Sequence, residues 1–107
     1  MGAKAGETEA RPPSLAVALR WTSKAHSDLV RLYEFLQPVH PPAAARAVRG
    51  LVAAAKRIPA RPRLGVRLAE FGAREVRRIV IGSYEIRYEL SGTDVYILRI
   101  FHTREDR

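Results

Sequence analysis

The stretch "EVRRIVIGSYEIRYELSGTDVYILRIFH" (residues 75–102) decides the fold. Gly82-Ser83 and the run "SGTD" (residues 91–94) cut it into three pieces, each the length of a strand. The middle piece alternates without error: Tyr84, Ile86, Tyr88 and Leu90 on one side, Glu85, Arg87 and Glu89 on the other. A period of two with this contrast predicts a strand with one face on a core and one in water. The last piece is apolar at five of the six positions from Val95 to Ile100. It is apolar on both faces, which predicts the centre of the sheet. Continued along its alternation, it sets Arg99 with Val95 and Ile97, and His102 with Tyr96, Leu98 and Ile100. Burial of Arg99 requires a carboxylate partner, and Glu85 or Glu89 is expected. Three strands joined by tight turns form an antiparallel meander, which must bury a face against something else.

The cover is found upstream. After Ser23, a candidate N-cap, Ala25, Leu29, Leu32, Tyr33 and Leu36 form one apolar stripe at helical spacing, with Asp28, Arg31 and Glu34 off it. Pro38 stops this helix. A second begins at Pro41-Pro42, where missing amides cost little. Its stripe is Ala44, Val48, Leu51, Val52 and Ala55, and Pro59 and Pro62 end it. Two amphipathic helices on a link of four to five residues predict a helical hairpin. Residues 60–73 read as a loop carrying Arg61, Arg63 and Arg67. Residues 14–21 read as a first strand, available to one sheet edge. The expected class is α+β, in the order β-α-α-β-β-β, as one domain over residues 15–107 behind a disordered polar lead-in, residues 1–14.

Composition narrows the function. A chain of 107 residues, 47% apolar, can bury a core without staples. It has no cysteine, which excludes disulfides and thiolate metal sites. His26 and His40 are isolated, so no metal site and no cofactor are expected. No apolar run approaches the ~20 residues of a membrane span. A soluble, cytoplasmic protein is expected. The net charge of +8 points to an acidic partner, either nucleic acid or an acidic protein.

Four stretches in this order resemble the ParE/RelE superfamily of toxins from bacterial type II toxin–antitoxin modules. They are "WTSKAHSDLVRLYEFL", "AAARAVRGLVAAAKRIPARPRLG", "REVRRIVIGSYEIRYEL" with its Y-x-I-x-Y core, and "VYILRIFHTRED" with its His-x-Arg ending. The resemblance covers about residues 17–104. The resemblance implies a toxin in a hetero-oligomer with a cognate antitoxin, whose acidic segment is partly disordered when free and folds on the toxin. It also implies one of two activities. RelE-like members cut messenger RNA in the ribosome, and ParE-like members poison DNA gyrase without being nucleases.

Attack by an RNA 2′-hydroxyl needs a base, an acid and cations around the phosphate. RelE-type sites resemble this chain at the opening of the strand led by Tyr84, but they place arginine where this chain has Glu85. Arg87, two residues on, shares the face of Glu85. His102 matches the terminal histidine, yet Thr103 follows it instead of tyrosine. The ParE-like branch is therefore favoured, with His102 and Arg87 as catalytic candidates under the endoribonuclease alternative alone. On that alternative Glu85→Arg should preserve or raise activity. A third alternative is a basic binding module that keeps the fold without toxicity.

The resemblance assigns His102, Arg104, Arg99 and Arg67 to the target-binding surface, and Leu29, Tyr33, Leu36 and Arg87 to the antitoxin-binding surface. Plainer readings stand beside these. His102 also reads as a strand-end histidine bonded to backbone, Arg104 and Arg107 as a solvated tail, and Arg61, Arg63 and Arg67 as solubilising loop charges. Loss of residues 103–107 is expected to abolish toxicity while sparing the fold.

Overall fold

The structure, a computed structural model, describes residues 18–105; the expected lead-in and the start of the expected first strand lie outside them. Chain order gives β1 (Leu19–Trp21), α1 (Ser23–Leu36), α2 (Pro41–Arg57), β2 (Val66–Arg67), β3 (Glu75–Ile81), β4 (Tyr84–Ser91) and β5 (Asp94–His102). The strands form one mixed sheet in the order β1-β5-β4-β3-β2. The meander is antiparallel as expected, and β1 runs parallel to β5. The short strand β2, inside the stretch read as loop, adds Val66 and Arg67 to the edge of β3. Two residues are too few to carry a periodic signal.

The α1–α2 hairpin covers one face of the sheet. Ala25 and Leu32 of α1 and Leu51, Ala54 and Ala55 of α2 meet Ile86, Tyr88, Val95, Ile97 and Ile100 in one core. Alanines let the helix backbone sit close to the sheet. Each large side chain buried there contributes roughly 1.5–3 kcal/mol.

A β-bulge corrects the predicted faces of β5. Arg87 pairs with Arg99, but Tyr88 pairs with Ile97, so Leu98 is an extra residue. The bulge brings Val95 and Ile97 onto the core face with Ile100. It leaves Arg99 and Phe101 on the opposite, outer face, beside their partners Arg87 and Glu85. The outer face is not uniformly wet either: Val76, Glu85 and Phe101 are all buried on it. The middle strand is β4, and β5 is interior because β1 covers part of its free edge.

Beyond Trp21, α1 replaces β1 along that edge. The Thr22 hydroxyl donates to the carbonyls of Ile97 and Leu98 and accepts from the Ala25 amide. Thr22, not Ser23, is therefore the N-cap, because the hydroxyl that serves the helix also holds the bulge. Asp28, expected on the wet face of the helix, is only 3% exposed. Its carboxylate accepts the Ile100 amide at 2.8 Å and the Arg99 guanidinium at 2.8 and 3.1 Å. Arg99 thus pairs with Asp28 rather than with Glu85 or Glu89: the bulge turns it toward the sheet edge where α1 lies.

Gly65 pins the loop between α2 and β3. Its amide donates to the Tyr88 hydroxyl, which donates to the Pro62 carbonyl at 2.7 Å. A Cβ at Gly65 would stand 2.6 Å from the Arg78 carbonyl oxygen.

Candidate functional site

A cleft of about 460 Å³ opens between the C-terminal half of α1 and the end of β5. Leu32, Phe35 and Leu36 form its helical wall, and Tyr84 with His102 forms its sheet wall. Residue spacings of three and four set the three helix side chains on one side. Tyr84 opens β4 and His102 closes β5, so antiparallel pairing places them opposite each other. Their rings meet edge-on, centroids 5.3 Å apart. The cleft is mainly apolar, and its rim is charged by Arg31, Arg104 and Glu105.

The residues after β5 fold back onto the body. The Thr103 amide donates to the Ser83 carbonyl, extending the β4–β5 ladder by one bond. Glu105 accepts the His102 amide at 2.6 Å and pairs with Arg31. Arg31 also reaches Asp28 and the Ile100 carbonyl. His102 Nδ1 accepts the Arg104 amide at 3.1 Å, so Nε2 carries the proton of the neutral ring. The segment read as a charged tail is an ordered turn as far as Glu105. Arg104 stays exposed on it, with no ion pair among the described residues.

The predicted site residues fall in several places. His102 and Arg104 share the cleft with Leu36. Tyr33, 41% exposed on α1, is not in the cleft lining, and Leu29 is half-buried against the core. Arg99 and Arg87 belong to the outer face of the sheet, their guanidiniums 4.7 and 5.4 Å from the Phe101 ring centre. Arg67 is in edge strand β2 and donates to the Gly72 carbonyl. Phe35, which as an aromatic of α1 reads from sequence as a core or antitoxin contact, is 76% exposed at the cleft; Val39, 85% exposed in the interhelical link, was missed as a candidate.

On the outer face, Glu85 lies 99% buried between Arg87 at 2.9 Å and Arg78 at 3.8 Å. Arg78, Arg87 and Arg99 are direct cross-strand neighbours, a row of three like charges. Such a row is unfavourable unless countered. Glu85, Asp28 and the aromatic faces of Phe71 and Phe101 counter it. Among the described residues no cluster of three metal-ligating side chains occurs, and no helix is long and apolar enough to cross a membrane.

A helical hairpin on a small sheet is the α+β architecture that the sequence resemblance implied, with the antiparallel meander made mixed by the parallel strand β1. The same fold occurs in a solved chain from the chromosomal ParDE toxin–antitoxin system of P. aeruginosa. It is 24% identical, with a TM-score of 0.71 over 82% of this chain and 97% of that one. The family model of the ParE toxin of type II toxin–antitoxin system, parDE, matches residues 19–107, and the chain belongs to that family. No curated protein matches.

Proposed function

We propose that this chain is a ParE-type toxin that arrests growth by inhibiting DNA gyrase and is silenced by a cognate acidic antitoxin. Membership of the ParE toxin family over residues 19–107 carries the reading. The cleft supports the antitoxin half. A disordered segment that folds on binding must bury apolar surface to offset its ordering entropy. Phe35, Leu36 and Leu32 offer that surface in the cleft, and the exposed guanidinium of Arg104 stands at its rim. The net charge of +8 would steer an acidic segment toward it.

The outer face supports inhibition by binding over RNA cleavage. A nuclease site needs an open cation for the scissile phosphate. At the position where RelE-type sites carry arginine, Glu85 holds the guanidinium of Arg87, and that side chain is only 22% exposed. Arg87 and His102 also point to opposite faces of the sheet, since Tyr84, the partner of His102, alternates with Glu85 and Arg87.

Two assays on cells expressing the chain without antitoxin test the reading: gyrase-trapped cleaved DNA, and cuts in translated messenger RNA. Cleaved DNA with intact message is expected. Cut message with intact DNA would move the chain to the endoribonuclease alternative. Normal growth with neither signal would make it a toxin fold without toxicity.

A further inference from the structure

We propose that the solvent face of α2 is a docking surface for the phosphate backbone of double-stranded DNA. Between Glu34 and Glu70 the sequence has no acidic residue, while Arg46, Arg49, Lys56, Arg57, Arg61, Arg63 and Arg67 fall there. Four of these are on α2, and all four are exposed. At 3.6 residues per turn, Arg46, Arg49, Lys56 and Arg57 lie within about 60° of the line opposite the buried Ala44, Leu51 and Ala55. They form one stripe about 16 Å long at 1.5 Å per residue.

These cations differ from the eight arginines that are held by a carboxylate. Arg20, Arg31, Arg63, Arg74, Arg77, Arg78, Arg87 and Arg99 each face a carboxylate. Among the described residues none of the four stripe cations has an ion pair. Lys56 and Arg57 gain from the helix dipole in the last turn. Arg46 and Arg49 are too far from it to gain, and at a spacing of three they repel each other. Midway along the stripe is Gly50, exposed, with nothing within 4 Å of where a Cβ would be. A mid-helix glycine costs about 1 kcal/mol against alanine, and packing does not explain this one. With Ala53 it leaves the centre of the stripe low, so a polyanion could reach the helix between two pairs of cations.

The surroundings select the occupant. An acidic segment that folds on binding needs apolar contacts, and the stripe holds only Gly50 and Ala53 between its charges. Single-stranded nucleic acid needs aromatic faces for its bases, and α2 has no aromatic residue. A duplex backbone needs neither. A duplex carries one charge per about 1.7 Å of its axis, counted over both strands, dense enough to offer each of the four cations a phosphate along the stripe. The surface is separate from the cleft and does not depend on the gyrase reading, because the chain should bind DNA with no enzyme present.

The test is fluorescence anisotropy of the full chain with a labelled 20-base-pair duplex between about 50 and 200 mM NaCl. The logarithm of affinity should fall against the logarithm of salt with a slope of about −3 to −4, near 0.9 per phosphate contacted. The triple variant Arg46→Gln/Arg49→Gln/Arg57→Gln should weaken binding at least ~10-fold and flatten the slope by about 2 to 3. A charge-matched control, Arg20→Gln/Arg63→Gln/Arg74→Gln, removes exposed paired arginines and should stay within about threefold. Single Arg→Gln changes along the stripe, checked by circular dichroism, should each remove about one unit of slope should the triple fail to fold. Equal weakening by both triples would reduce the effect to net charge and overturn the proposal. So would no salt-dependent binding, or tighter binding by the stripe of single-stranded DNA, duplex RNA or a glutamate-rich peptide.

Discussion

The Asp28 carboxylate takes the backbone amide of Ile100 at 2.8 Å, the bond a neighbouring strand would otherwise make. Three residues of β1 cover β5 only as far as Ile97. Past that point Thr22, Asp28 and Arg31 satisfy the edge from α1. The first helix therefore acts as a side-chain strand, and it carries the wall of the cleft.

Asp28→Ala should cost about 3 kcal/mol, since it leaves a buried amide without an acceptor and Arg99 without its partner. Urea unfolding at pH 7 would measure it, and a loss below about 1 kcal/mol would refute this role. Burial pushes the Asp28 carboxyl up, but hydrogen bonds from Arg99, the Ile100 amide and Arg31 outweigh it and hold the group below its ordinary value. The folded pKa is depressed, so the stabilisation is present above the unfolded value, about 3.9. It is lost as pH falls through the lower folded value. Asp28→Asn should flatten the acid limb of the stability curve below about pH 4.

Gly65 and Tyr88 act as a lock on the α2–β3 loop. Tyr88→Phe should destabilise by about 1–2 kcal/mol, because the Gly65 amide and the Pro62 carbonyl lose their partner. Gly65→Ala should cost more, about 2–3 kcal/mol, through the clash with the Arg78 carbonyl. If thermal melts rank the two variants the other way, the close approach at Gly65 is not the constraint.

Glu85→Gln should lower stability by about 1–3 kcal/mol by removing the charge that faces Arg87 and Arg78. Glu85→Arg, attractive from sequence as a way to restore a nuclease cation, adds a fourth arginine at a buried position in the row. It should fail to fold, which thermal denaturation would reveal. For that reason it is a poor probe of catalysis, and Arg87→Gln with the messenger RNA assay is the better one.

Removal of residues 103–107 should abolish growth arrest and also lower stability by about 1–2 kcal/mol, through the bonds of Thr103 and Glu105. Arg104→Ala separates the two effects, because Arg104 carries no ion pair among the described residues. Growth arrest should weaken while the melting temperature moves by less than about 2 °C. Full toxicity of both variants would place the working surface elsewhere.

Sequence alone determined the order of the helices and of every strand but the two-residue β2, most of both helix stripes, the meander and its turns, because each depends on local periodicity or on a turn residue. It also led to His102 and Arg104, which the fold does bring to one cleft. It could not give the bulge at Leu98, whose extra residue moves Arg99 to the outer face, since a bulge is defined by a partner strand 10 or so residues away. Nor could it give the burial of Asp28 and Glu85, which helical spacing and strand alternation, respectively, set off the apolar faces. A carboxylate is buried where donors converge on it, and those donors come from β5 for Asp28 and from β3 and β4 for Glu85. Only the tertiary structure could decide which charges are paired across the sheet and which, along α2, are left facing solvent.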